Sequence, residues 1–204
     1  MPMENFFRVR AEKQNHIINA ALAIFGRQGY RKASLSDIAK EAGITKGMIT
    51  YYFGSKKNLY LYLVEIFHAR MLSDIETRID AQPTDLFDRL KIILDANFEI
   101  IKEHPHIISF SNSLYREKDD EVFSEIDKII EFENEKDHLI FEAVDTSKFK
   151  SDIDHTLASD ILLWIFNGAL EALFEKNLSE EEVNALINRL YEGLDLMKKM
   201  FYKP

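Results

Sequence analysis

Residues 34–59 read SLSDIAKEAGITKGMITYYFGSKKNL, and their helix caps and turn residues predict the local fold. Ser34 can cap the free N–H groups at the start of a short helix, and Asp37, three residues further, completes the pattern of a capping box. Gly43 is placed to end that helix after about two turns. Thr45 then caps a second short helix. Two short helices joined by a tight turn that contains glycine predict a helix-turn-helix motif.

A longer amphipathic helix precedes this pair. Its apolar residues recur at i, i+3, i+4, i+7 and i+8 and therefore share one face: Ile17, Ala20, Ala21, Ile24 and Phe25. We expect this helix to end at Gly29, because glycine takes up the left-handed C-cap conformation without strain. The second short helix is predicted over residues 46–53. Apolar residues of the two short helices are expected to pack against the first helix, namely Ile38, Ala39, Ala42, Ile49 and Phe53.

Helical patterns continue to the C-terminus. Ser55 opens a helix that should run to about residue 80, and Pro83 and Pro105 bound the next one. Further helical patterns cover residues 105–115, 120–144, 161–174 and 183–201, with a polar loop at 145–152. The predicted fold class is all-α, with an N-terminal three-helix helix-turn-helix domain in residues 1–55 and a larger helical domain in residues 56–204, linked by the helix from about 56 to 80.

The motifs D-I-A-x-x-A-G, T-K-G, Y-Y-F and S-K-x-x-L occur here at fixed spacing. Together they closely resemble the DNA-binding signature of the tetracycline-repressor-like (TetR) family of transcriptional regulators. The resemblance is strong over roughly residues 12–65 and rests on length and helical pattern beyond them. It implies that the C-terminal helices bind a small-molecule ligand and form a homodimer. Two positions depart from the family pattern, Thr50 in place of an aromatic residue and Met48 in place of threonine, so base preference cannot be carried over.

The outward face of the second short helix suits a DNA duplex. Thr45 and the helix N-terminus can donate to a phosphate, and Lys46 can reach guanine O6 and N7 in the major groove. Lys56 offers a further phosphate contact. For Tyr51 and Tyr52, partial burial in the small domain is the alternative to a DNA contact. The predicted DNA-binding residues are Ser34, Thr45, Lys46, Gly47, Met48, Thr50, Tyr51, Tyr52 and Lys56.

The C-terminal helices carry the predicted dimer interface and ligand pocket. Residues 161–166 are apolar almost all round, so they need a second covering surface, either a partner chain or a thicker monomer core. The predicted interface residues are Ile161, Ile165, Ala169, Ala172, Leu173, Leu186, Leu190, Leu194 and Met197. The predicted ligand-binding residues are Asn97, Phe98, Ile101, Phe110, Tyr115, Trp164, Asn167 and Gly168, for whose aromatic members plain core packing is the alternative.

Charge separates the two parts of the chain. Residues 1–60 hold ten Lys and Arg against four Asp and Glu, a balance of +6, which leaves −15 for the rest of a chain whose net charge is −9. A basic contact surface on an acidic body is typical of such a distribution, and chance clustering of solvated charges is the alternative. We therefore expect double-stranded operator DNA, a small-molecule effector and a second copy of the chain as partners.

Several function classes are not expected. The chain has no cysteine, and its histidines lack metal-ligand spacing, so we predict no metal and no cofactor. Nucleophile motifs and phosphate-binding glycine loops are missing, so we predict no enzymatic activity. The apolar run at 161–166 is too short to span a membrane and no secretory signal is evident, which favours a cytoplasmic protein.

The sequence thus predicts a ligand-responsive one-component transcriptional regulator. By the resemblance it is a repressor that binds a near-palindromic operator as a dimer and is released by a small, largely apolar molecule. The alternative is an acidic helical protein-interaction module with secondary or no DNA binding.

Overall fold

The computed structural model describes residues 2–80, 85–128, 144–175 and 180–204. They belong to two compact units. The first unit comprises Met1–Asp74 with Ala96–Glu133, and the second comprises Ile75–Asp95 with Asn134–Pro204. The predicted boundary between residues 55 and 56 stays a prediction. The structure groups Ala96–Glu133 with the N-terminal segment, and Ile100, Phe110 and Ile126 share one core with it.

The described residues are almost entirely helical, which confirms the predicted all-α fold class. The helices are α1 (Pro2–Phe7), α2 (Ala11–Lys32), α3 (Leu35–Glu41), α4 (Lys46–Phe53), α5 (Lys56–Asp80), α6 (Leu86–Glu103), α7 (Ile107–Arg116), α8 (His155–Glu175) and α9 (Glu180–Phe201). Residues 123–128 are also helical, and the rest of the helix predicted over 120–144 lies outside the described residues. Helix α1 was not predicted.

Helix α2 extends past its predicted end. Gly29 has φ +70°, the left-handed conformation expected of a C-cap, but helical structure resumes and continues to Lys32. The N–H of Ala33 donates to the carbonyl of Gly29 at 3.3 Å, which closes this additional turn. The regular helix is therefore interrupted at Gly29, where the sequence predicts its end, and one further helical turn follows the kink.

The core of the first unit lies between α2, α5 and α7. Phe25 of α2, Tyr60 of α5 and Phe110 of α7 meet there, with ring centroids 4.8 Å (Phe25–Tyr60) and 5.4 Å (Tyr60–Phe110) apart. Helices α2 and α7 approach closely at Gly26, where an added Cβ would lie 2.5 Å from Ser109 Oγ. A larger residue at that position would force the two helices apart.

In the second unit, Asp85 joins the start of α6 to the end of α9. Its carboxylate accepts the N–H groups of Phe87 and Asp88, and it forms ion pairs with Lys148 at 3.1 Å and Lys198 at 3.2 Å. Burial by itself would raise the pKa of Asp85, but these donors and charges hold it below its usual value. The charged form of Asp85 is therefore part of the fold of this unit.

Candidate nucleic-acid interface

The helix-turn-helix forms as its caps predict. The N–H of Asp37 donates to Ser34 Oγ at 3.1 Å, and the N–H of Met48 donates to Thr45 Oγ1 at 3.3 Å. Gly43 has φ +59° in the turn between α3 and α4, a conformation that L side chains rarely adopt. Helix α4 ends at Phe53, as predicted. Local capping therefore sets the direction and length of α4, the candidate recognition helix.

Helix α4 has one buried face and one exposed face. Ile49 and Phe53 lie in the core of the first unit together with Ile38 of α3. The exposed residues of α4 and its N-cap are Thr45, Lys46, Gly47, Thr50 and Tyr51. They are five of the nine predicted DNA-binding residues. Their exposure leaves the N-terminal end of α4, with its free N–H groups, open to a duplex.

The two neighbouring tyrosines differ in environment. The Tyr51 side chain is 61% exposed, whereas Tyr52 is only 7% exposed. The ring of Tyr52 lies 5.7 Å from that of Phe6 in α1, so it packs in the core. Met48 is half-buried at the margin of the same core. DNA contact by Tyr51 thus needs no rearrangement, while Tyr52 and Met48 can offer a duplex only a small part of their surface.

The remaining predicted contacts, Ser34 and Lys56, already have partners. Ser34 Oγ caps α3 and donates to the Asp37 carboxylate at 2.6 Å. Lys56 Nζ donates to the carbonyls of Tyr30 at 2.8 Å and Ala33 at 3.2 Å, and it lies 4.2 Å from the centroid of the Tyr30 ring. A phosphate contact by Lys56 would require it to release a carbonyl. That role stays a prediction, and the structure adds another: Lys56 ties the end of α2 to α5.

Basic side chains of the first 60 residues fall into two groups. Arg27 pairs with Glu41 at 3.2 Å, Lys57 pairs with Glu125 at 3.0 Å, and Lys56 is held by carbonyls. The other seven are exposed and have no side-chain partner within the described part of the chain: Arg8, Arg10, Lys13, Arg31, Lys32, Lys40 and Lys46. Unpaired cations on an otherwise acidic protein attract a polyanion.

The predicted ligand-binding residues fall in both units. Asn97, Phe98, Ile101, Phe110 and Tyr115 belong to the first unit, and Trp164, Asn167 and Gly168 belong to the second. Phe110 is 1% exposed and packs in the core of its unit, whereas the side chains of Tyr115 and Trp164 are 62% and 65% exposed. The Asn167 side chain lies outside the described residues. A ligand contact by any of these eight residues stays a prediction.

The predicted dimer residues also differ in exposure. Leu194 is only 5% exposed within the chain, Ile165 is exposed, and Ile161, Leu186, Leu190 and Met197 are half-buried. The side chains of Ala169, Ala172 and Leu173 lie outside the described residues. Helices α8 and α9 expose other large apolar side chains that were not among the predicted interface residues. We call these residues and Ile165 the exposed apolar set of α8 and α9: Leu157, Trp164, Ile165, Leu196 and Met200.

Among the described residues, no group of three or more His, Asp or Glu side chains is arranged to hold a metal ion. None of the described helices combines the length and the apolar character needed to cross a membrane.

The N-terminal part of the chain matches a family model. The model described as bacterial regulatory proteins, tetR family, matches residues 17–63, from α2 into α5. Over 155 residues the chain is 24% identical to the Fatty acid metabolism regulator protein of Bacillus subtilis (strain 168), which covers 74% of this chain and 77% of that protein. The chain spans about half or less of other curated regulators that it matches.

Solved structures share the fold over nearly the whole chain. The ketosteroid transcriptional regulator KstR2 of Mycobacterium tuberculosis superposes with a TM-score of 0.69 at 18% identity, covering 97% of this chain and 98% of that chain. FadR from Bacillus subtilis, solved in complex with stearoyl-CoA, gives a TM-score of 0.59 at 21% identity, with 88% and 96% covered. At these identities the likeness shows the fold. Residues 17–63 therefore carry the helix-turn-helix segment of the TetR family of bacterial regulatory proteins, and the all-helical fold of the chain is the fold of these solved regulators.

Proposed function

We propose that this protein is a one-component transcriptional repressor that binds a near-palindromic operator as a homodimer and is released by a small, largely apolar effector. The observation that carries the proposal is the exposed N-terminal face of α4, where Lys46 and Tyr51 have no side-chain hydrogen bond within the described residues. A capped helix that presents a lysine and hydroxyl groups at its N-terminus matches the way recognition helices enter the major groove.

The homodimer is supported by the exposed apolar set of α8 and α9. Large apolar side chains scattered singly are ordinary, but five on two helices of one unit favour coverage by a partner. A two-fold dimer would present two copies of α4 to successive major grooves, so its operator would be a near-palindrome.

The effector is proposed to carry a long apolar chain. The relative that spans most of this chain is named a fatty acid metabolism regulator, and FadR of Bacillus subtilis was solved with stearoyl-CoA. Stearoyl-CoA is therefore the first probe, with free coenzyme A as the control that lacks the acyl chain. By linkage, an effector that weakens operator binding must itself bind more weakly to the operator complex, by the same factor.

The test begins with selection of bound genomic fragments by the purified protein at fixed, near-physiological salt. Enrichment of one palindrome-like site supports the proposal. On that site, about eight phosphate contacts per dimer predict that the logarithm of the binding constant falls by about 7 for each log unit of salt. Absence of any enriched site, together with a flat salt dependence, would favour an acidic protein-interaction module instead.

Base readout by Lys46 is tested with single variants on the selected site. Lys46→Ala should lose about 1–3 kcal/mol of discrimination at one base position, because the bidentate contact with guanine is removed. Lys56→Ala should weaken binding to every sequence alike, whether through a lost phosphate contact or through a loosened end of α2. A uniform loss in both variants would contradict base readout by Lys46.

A further inference from the structure

Helix α1 lies outside the helix-turn-helix, yet it is fixed to the recognition helix. Phe6 is fully buried. Its ring centroid lies 4.7 Å from that of Phe53 and 5.7 Å from that of Tyr52 in α4, and 5.8 Å from that of Tyr62 in α5. Burial of an aromatic side chain among three others removes apolar surface from water and stabilises this contact. The N-terminal segment is therefore held on the flank of α4.

The residues that follow α1 are held as well. The N–H of Val9 donates to the carbonyl of Phe6 at 3.0 Å, which turns the chain at the end of the helix. Gln14 Nε2 then donates to the carbonyl of Val9 at 2.6 Å. Val9 thus bonds the connection to both α1 and α2, so the backbone of Arg8 and Arg10 is held next to the anchored helix α1.

Two arginines stand in this connection. Arg8 and Arg10 are exposed, and neither guanidinium has an ion pair or hydrogen bond within the described part of the chain. By contrast, Arg27 on α2 is paired with Glu41 and Arg70 on α5 is paired with Glu103. Arg8 and Arg10 therefore have all their guanidinium donors free within the described part of the chain.

We propose that the N-terminal arm, residues Met3–Arg10, is a second DNA-contacting element in which Arg8 and Arg10 bind backbone phosphates beside the groove that α4 reads. This inference rests on the proposed DNA-binding function. Arg8 and Arg10 lie two and four residues beyond the Phe6 anchor, at most about 14 Å of extended chain. A major groove is about 12 Å wide, so phosphates at its edge lie within reach of a side chain anchored on the flank of α4.

The arm is assigned to phosphates because of its backbone structure. Arg8 follows the last residue of α1, and Arg10 has φ −57° and ψ 140°, the extended conformation that precedes α2. A short connection of this kind offers no helix or ribbon that could enter the major groove. Arginine in such a position binds phosphate through its fork of N–H groups, which orients the protein on the duplex without reading sequence.

The test uses the full chain and the operator selected above. The double variant Arg8→Gln/Arg10→Gln removes two phosphate contacts per protomer, so the salt slope of the dimer should become shallower by about 3–4. At near-physiological salt its affinity should fall at least about a hundredfold, and equally for all operator variants. The matched control is Lys102→Gln/Lys118→Gln, which removes the same charge from two other exposed positions of the first unit and should leave the slope unchanged.

The outcomes distinguish failure of the proposed DNA-binding function from failure of the inference about the N-terminal arm. If the wild-type protein selects no DNA, the proposed function fails before the arm is tested. If the wild type binds and the Arg8→Gln/Arg10→Gln slope equals that of the control variant, the inference about the arm is overturned. Loss confined to particular base positions would overturn the assignment to phosphates.

The anchor is tested by Phe6→Ala, which keeps both arginines but frees the arm. Its affinity for the operator should fall, because arginines on a loose segment lose conformational entropy when they bind. If Phe6→Ala does not fold, the two exposed glutamine substitutions still test the inference. Phosphate ethylation interference on the operator is an independent test. Phosphates at which ethylation blocks binding of the wild type but not of Arg8→Gln/Arg10→Gln are the phosphates that the arm contacts.

Discussion

The core of the first unit and the exposed apolar set of α8 and α9 are built from similar side chains but differ in burial. Phe25, Tyr60 and Phe110 cover one another within a single chain. Trp164 and Leu196 are equally apolar and stay more than half exposed. Apolar composition alone therefore does not distinguish the core from the exposed apolar set. Packing distinguishes them, because it shows which side chains remain for another molecule to cover.

The difference also bears on how the regulator works. Helix α4 is capped at Thr45 and packs through Phe53 against Tyr62 of α5, so it is held firmly within its own chain, which suits accurate placement on a duplex. An interface between copies depends instead on concentration and can respond to what each copy binds. Three predictions follow from this comparison of buried and exposed side chains, beginning with the largest expected effect.

Phe110→Ala is expected to lower the free energy of unfolding by about 3–5 kcal/mol, because it leaves a cavity among Phe25 and Tyr60. The measurement is denaturant unfolding followed by circular dichroism. Tyr115→Ala, a second predicted ligand residue on the same helix but a largely exposed one, should change stability far less. Equal losses in the two variants would contradict the core assignment of Phe110.

Trp164→Ala should weaken self-association by about 2 kcal/mol, roughly thirtyfold in the dimer dissociation constant, since an exposed tryptophan on an interface is a typical hot spot. Sedimentation over a concentration series measures this. Phe123→Ala, an exposed aromatic residue of the first unit, serves as the control. If Trp164→Ala leaves the dimer dissociation constant unchanged, the exposed apolar set is not part of the dimer interface.

The smallest effect concerns pH. His104 is buried beside Phe67 and bonds Asn19 through Nδ1 at 2.8 Å. Burial lowers the pKa of His104 below 6.5, the Glu103 carboxylate opposes this shift, and Arg70 adds to it. The folded protein then binds fewer protons than the unfolded chain below pH 6.5, so this contribution to stability is complete above pH 6.5 and is lost as pH falls toward the folded-state pKa.

The free energy of unfolding of the wild type and of His104→Gln, determined at several pH values above and below 6.5, measures this contribution. The wild type should lose stability on acidification through pH 6.5, and the variant should lose less, because glutamine can bond Asn19 but does not titrate. Parallel pH profiles for the two proteins would show that His104 contributes nothing to the acid response.

Local signals explain why the helix-turn-helix could be predicted so closely. Thr45 and Ser55 bond N–H groups only three residues away, and Gly43 supplies the turn between α3 and α4 by its own conformation. Such interactions lie within one helical turn of the residue that makes them, so they can be recognised without knowledge of the rest of the chain. The predicted bounds of α4 and α5 are confirmed for this reason.

Long-range contacts explain what the prediction missed. Helix α1 is six residues long, too short to show a helical period, and Phe6 gains its role only from aromatic residues more than 45 positions away. The N–H of Tyr30, just beyond the kink at Gly29, donates to Glu117, 87 residues further, at 2.8 Å. A single sequence carries no sign of such a pairing.

The all-α class, the helix-turn-helix, the resemblance to the TetR family over residues 12–65 and the basic character of the N-terminal segment follow from sequence alone, because periodicity, caps and charge are properties of neighbouring residues. Tertiary structure decided which of two adjacent tyrosines is exposed, which lysine is already bonded and where the N-terminal arm lies. Those outcomes depend on burial, and burial follows from the packing of helices that are distant in sequence.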